Sequence, residues 1–161
     1  MKLTKGQQVI YKSHGLYTVK GIDRKTIGDK SKDFYVLSSS TKGMTIIIPV
    51  DQVEGCGVRP LSKRLEMIKV INMAKRGLVE IPDGAWNVRY RAYMGMIQSG
   101  KALDTASVYR CLTYSQKTQD LSFGERKMLD YAKTLLLEEI GAVYGVDEEK
   151  ALQYLNVKSD F

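Results

Sequence analysis

The residues best suited to chemistry stand together at 83–94, D-G-A-W-N-V-R-Y-R-A-Y-M. They include the only tryptophan of the chain, Trp86, and close behind it Arg89, Tyr90 and Arg91. A flat apolar ring at a helix start, with cations one turn further on, can press against an unstacked nucleic-acid base while the cations hold adjacent phosphates. The same residues carry a second reading. Trp86, Tyr90, Tyr93, Met94 and Ile97 recur at i, i+4, i+7, i+8 and i+11, the spacing of the apolar stripe of a packed helix. Spacing alone leaves wedge and core both open. A second cationic pair, Arg126-Lys127, follows the S-F-G-E of residues 122–125, and such a pair is commonly the solvated face of a capped helix.

Other chemistry is missing. The single histidine, His14, stands before Gly15 in a turn, where its ring serves the turn backbone more often than a reaction. There is no nucleophile motif, no carboxylate cluster at metal spacing, no G-x-x-x-x-G-K-[ST] and no G-x-G-x-x-G. Cys56 and Cys111 are far apart, which argues against a zinc site and against a disulfide. The expectation is a protein that is not an enzyme and uses no metal or cofactor. No run approaches the roughly 18 apolar residues of a membrane span, and the first residues, M-K-L-T-K-G-Q, lack the apolar core of a secretion signal. A cytoplasmic protein without membrane contact is therefore expected.

These residues need elements to hold them, and the chain supplies two kinds. Up to about residue 60 the pattern is β. Short runs at Gln7–Lys12, Leu16–Ile27, Phe34–Ser38 and Met44–Val50 are broken by Gly6, Gly15, Gly21, Gly28 and Gly43. That spacing predicts a small, strongly bent antiparallel barrel of the SH3 or Tudor kind. In the last run, Thr45-Ile46-Ile47-Ile48-Pro49, three isoleucines put apolar groups on both faces, while Pro49 favours an edge or a strand end. From Ser62 onward the period is 3.6. Leu61, Leu65, Ile68 and Ile71 mark a first helix ending at Gly77; Asp83 opens a second ending at Gly100; Leu103 to Leu112 mark a third. Ser122 and Glu125 form a capping box for a fourth, with its stop at Gly141 or Gly145, and Asp147 caps a short fifth to about Leu155. The fold class is thus α+β, with domains at 1–60 and 61–161.

The charge follows this division. Residues 1–60 carry 10 Lys+Arg against 5 Asp+Glu, residues 61–137 carry 13 against 7, and residues 138–161 carry 2 against 6. A basic body with an acidic last helix suits a polyanionic partner.

Four segments together carry a resemblance: G-Q-Q-V-I-Y-K-S-H-G (6–15), I-I-I-P-V (46–50) followed by G-V-R (57–59), W-N-V-R-Y-R-A-Y-M (86–94) and L-S-F-G-E-R-K-M-L (121–129). In this order they resemble the CarD/CdnL family of bacterial transcription regulators, over nearly the whole chain. The resemblance implies a Tudor-like domain that binds the β subunit of RNA polymerase, and a helical domain that touches promoter DNA without reading sequence, at the upstream edge of the transcription bubble. The first domain is also similar to that of the transcription-repair coupling factor, whose ATPase motifs are missing here.

Carried onto this chain, the polymerase contact falls on Arg24 or Lys25 and on Thr45, Ile46, Ile47, Ile48 and Pro49, with the strand joining a polymerase strand edge to edge. The DNA contact falls on Trp86, Arg89, Tyr90, Arg91, Arg126 and Lys127. Two departures stand out: Val88 replaces the first arginine of the family's W-x-R-R-Y, and Ile47 stands where some members have arginine. A monomer is expected. Two other readings remain on sequence grounds, a protein–protein adaptor without a DNA role and an RNA-binding protein of the Tudor/KOW kind.

Overall fold

The structure, a computed structural model, describes residues 1–156. The chain divides into two compact units, Met1–Leu61 and a second beginning at Ser62. The overall class is α+β.

The first unit is one antiparallel sheet of five strands: β1 (Gln8–Tyr11), β2 (Gly15–Ile27), β3 (Lys30–Ser38), β4 (Thr45–Pro49) and β5 (Val58–Pro60), in the order β4-β3-β2-β1-β5. Alternate residues point inward, so Val9, Tyr17, Val19, Tyr35 and Leu37 make the core with Leu3 and Val53. Both end strands reach that core, through Ile48 and Val58, so the sheet curls around it. A bulge between Val19 and Gly21 shifts the register of β2 against β3 by one residue. Past Asp23 and Phe34, where the pairing with β4 ends, β2 and β3 continue as a two-stranded ribbon, and residues 22–32 are all exposed. This ribbon explains why β3 begins at Lys30, four residues before the Phe34 at which the apolar alternation starts. Its polar residues give no inside and outside to read. β5 was not anticipated either, because three residues hold too little alternation to mark a strand.

The second unit holds five helices: α1 (Arg64–Arg76), α2 (Trp86–Gln98), α3 (Ala102–Thr118), α4 (Phe123–Tyr144) and α5 (Glu148–Leu155). α2 starts at Trp86, with Ala85 as N-cap, and not at Asp83. Gly84, at φ +105°, cannot be helical, so the helix can form only after it. α3 runs on to Thr118, beyond the apolar stripe that suggested it, because its last turns carry exposed Tyr114, Gln116 and Lys117. α4 is closed by Gly145 in the left-handed conformation. Two apolar clusters fill this unit. One lies among α1, α3, α4 and α5, with Met67, Val70, Ala106, Leu136, Ile140 and Leu155; the other lies among α2, α3 and α4, with Tyr93, Ile97, Val108, Leu112, Met128 and Ala132. α4 belongs to both, its first half to the second cluster and its later turns to the first. Among the described residues no helix is long and apolar enough to cross a membrane.

Candidate nucleic-acid interface

α2 and α4 bring their first turns together. Trp86 is the first residue of α2, and its indole lies against Gly124, the second residue of α4. The approach is so close that a β-carbon at Gly124 would stand 2.6 Å from the indole Nε1 and 3.1 Å from Cε2. The ring is partly buried and packs on the cluster of Tyr93, Ile97 and Met128. Tyr90 meets it edge to face at 5.8 Å between centroids, and Tyr93 lies tilted at 6.4 Å. Trp86 is therefore a packed residue that keeps part of its ring at the surface. Of the stripe read from the sequence, Tyr93 and Ile97 are buried, Met94 partly so, and Tyr90 is exposed.

Arg89, one turn along α2, places its guanidinium 5.4 Å from the Trp86 ring centroid. Its Nη1 donates to Glu125 Oε1 at 2.9 Å. Glu125 is 4% exposed, and its other oxygen accepts from the Ser122 backbone N–H at 2.8 Å while the Glu125 N–H donates to Ser122 Oγ at 3.2 Å. The capping box expected at 122–125 is thus present, and its carboxylate also holds a cation from another helix. Burial disfavours the charged Glu125, but the Ser122 bonds and the Arg89 guanidinium outweigh it, so the carboxyl titrates below its ordinary range. Below lies Tyr93, 1% exposed, with a hydroxyl that has no hydrogen-bond partner among the described residues. Burial, reinforced by Cys111, pushes its pKa up to about 12.

The remaining cations lie further out. Arg91 is exposed, its Nε donating to the Asn87 carbonyl at 3.3 Å. Arg126 is exposed and donates to the Leu121 carbonyl at 2.8 Å, and Lys127 holds its Nζ 4.7 Å from the centre of the Phe123 ring. Phe123, the first residue of α4, is 67% exposed and was missed in the sequence. The available signal was its place inside the capping box and off the apolar stripe of Met128, Ala132, Leu135 and Leu136. The structure thus joins Trp86, Arg89 and Tyr90 to the start of α4, while Arg91 stands apart on α2.

In the first unit, β4 is at one end of the sheet and pairs with β3 alone. Its faces differ. Thr45 and Ile47 point outward, Ile47 with 43% of its surface exposed, whereas Ile48 is a core residue at 4% and Ile46 packs partly against the core. Of the five residues Thr45–Pro49, the outward pair offers side chains to a partner; Ile48 does not, because the alternation of the strand turns it inward. Arg24 is exposed on the ribbon and bonds both oxygens of Asp33, at 2.8 and 3.2 Å. Lys25 is exposed opposite Lys32.

Comparison with known proteins finds a family match for each half of the chain. Residues 3–62 match the CarD-like/TRCF RID domain and residues 69–156 match the CarD C-terminal domain. The chain is 26% identical over 147 residues to YdeB of Bacillus subtilis (strain 168), a candidate transcription factor, covering 90% of this chain and 94% of that one. Among solved structures, the 72-residue N-terminal domain of Myxococcus xanthus CarD is 27% identical, over 37% of this chain and 79% of its own, with a TM-score of 0.32. With both of its halves matched in order, the chain belongs to the CarD family of transcription-associated proteins.

Proposed function

We propose that this chain is a transcription factor that binds the β subunit of RNA polymerase through its first unit and steadies opened promoter DNA through its second. The observation that carries the reading is the meeting of two helix starts at Trp86 and Gly124, with Phe123, Tyr90 and part of Trp86 exposed, Arg126 and Lys127 on the first turns of α4, and Arg91 further along α2. Helix N-termini favour anions, cations hold phosphates, and flat rings accept unstacked bases. Nothing in that set distinguishes one base from another, so contact without sequence reading is the natural outcome. A single base–aromatic stack is worth ~1–3 kcal/mol, which is roughly five- to hundredfold in an open-complex equilibrium. Arg89 has a different part from the one its sequence position suggests. Its charge is committed to Glu125, so it braces Trp86 and is not a free phosphate cation.

The first unit supplies the address. An end strand with an outward Thr45 and Ile47 can add to a polymerase strand, its main chain giving affinity and its outward side chains filling pockets, with Arg24 and Lys25 on the neighbouring ribbon. Tethering raises the local concentration of the second unit beside the DNA, so weak intrinsic DNA binding suffices. The protein acts as a monomer in the cytoplasm, near the nucleoid through polymerase, with no metal or cofactor.

The test is capture from a nuclease-treated lysate by the full chain and by Thr45→Glu and Ile47→Glu. The parent retains the polymerase β subunit and the two variants lose it. Ribosomal proteins in place of polymerase would favour an RNA-binding role, and polymerase binding with no effect on promoter opening would favour an adaptor.

A further inference from the structure

We propose that the start of α4 aims the interface: Gly124 and Glu125 are positioning residues that fix the direction in which Trp86 is presented to DNA. This rests on the reading of Trp86 as a DNA contact. Gly124 occupies the second position of a 22-residue helix, and no positive φ there calls for glycine. An alanine would suit the helix better. The missing side chain is explained by the indole, whose Nε1–Cε2–Cζ2 edge fills the place where a β-carbon would sit, at 2.6 to 3.3 Å.

Glu125 points the same way. Capping α4 takes one carboxylate oxygen, the one that accepts from Ser122. The second goes to Arg89, 36 residues away in sequence, whose guanidinium lies by the face of the indole. A cation–carboxylate pair this far out of water is a poor source of stability in itself. As a clamp it has a use. Trp86 is seated by its edge on Gly124 and steadied by Arg89, so the ring meets DNA with little side-chain freedom left to lose.

The experiment uses the full chain with Gly124→Ala and Glu125→Gln, each alone and combined with Trp86→Ala. Three quantities are read: melting temperature, emission of the tryptophan, and affinity for a DNA junction between duplex and single strands. Because Trp86 is the only tryptophan, its emission reports this one ring. Gly124→Ala should melt no earlier by reason of its backbone, yet shift the emission. Both single variants should weaken junction binding, by no more than Trp86→Ala does, a ceiling of roughly five- to hundredfold. On the Trp86→Ala background neither should weaken it further. Unchanged emission and affinity in Gly124→Ala, or defects that simply add to that of Trp86→Ala, would overturn the assignment. If Trp86→Ala itself leaves junction binding intact, the DNA reading falls and this inference with it. If Trp86→Ala weakens binding while Gly124→Ala and Glu125→Gln do not, only the inference falls.

Discussion

Trp86→Ala should damage stability and promoter opening together, and by separately measurable amounts. A fully buried tryptophan cut to alanine costs about 3–5 kcal/mol. Trp86 keeps part of its ring in solvent while packing on Gly124, Tyr93 and the α2–α3–α4 cluster, so about 2–3 kcal/mol is expected. For a unit of about 100 residues, each kcal/mol lowers the melting temperature by about 4–8 °C, so the helical signal should melt roughly 8–24 °C early in circular dichroism. The DNA effect is read well below that temperature, as the lifetime of open promoter complexes challenged with competitor. Losing one stack of ~1–3 kcal/mol should shorten it roughly five- to hundredfold. The first unit should still capture polymerase, since nothing in its core involves Trp86. An unaltered melting temperature would refute the packing described here. An unaltered lifetime would refute the DNA contact.

Phe123→Ala separates the two effects: with 67% of the ring exposed its melting should change little, within about 0.5 kcal/mol for a surface site, while open-complex lifetime falls. Equal lifetimes for variant and parent would exclude Phe123 from the interface. In β4, Ile47→Glu should leave the first unit folded and abolish polymerase capture, whereas Ile48→Glu should unfold it by burying a charge in the core. Folding of the Ile48→Glu chain would show the strand to be placed the wrong way round. The depressed Glu125 pKa makes stability pH-dependent. The contribution is full above the ordinary glutamate value of 4.5 and is lost as pH falls through the lower folded value, so melting of the parent should drop across that range more steeply than that of Glu125→Gln. Parallel curves would mean that Glu125 titrates normally.

The helical half was legible where local chemistry decides. Ser122 and Glu125 form a capping box within four residues, Asp147 accepts from the Lys150 N–H to start α5, and each can be read from the sequence because the partners are near neighbours. The start of α2 was misplaced because Asp83 resembles a cap, while the positive φ of Gly84, which delays the helix to Trp86, leaves no mark beyond the glycine itself. The pair of Arg89 with Glu125 and the seat of Trp86 on Gly124 span 36 and 38 residues, and no periodicity reports a contact across that distance. For the same reason the pairing of Arg89 could not be read from its place in α2. In the first unit the triple isoleucine announced apolar groups on both faces, but only the ladder to β3 tells which of them meet the core.

α4, at 22 residues, is about 33 Å long and supplies side chains to both apolar clusters of its unit, Met128, Leu129 and Ala132 to one and Leu136, Leu137 and Ile140 to the other. Two small cores strung on one continuous helix cannot melt independently, since losing either strips one half of the helix of its partners. Unfolding of this unit should therefore be a single cooperative event. The amides in the middle of α4 should exchange with solvent only when the whole unit opens, and the ends of α2 and α5, each tied to one core alone, should exchange sooner. The wider consequence is mechanical: a ring seated on the first turn of α4 is anchored to every helix of the unit at once, so force applied to that ring, as by the proposed DNA contact, is met by the stability of the whole.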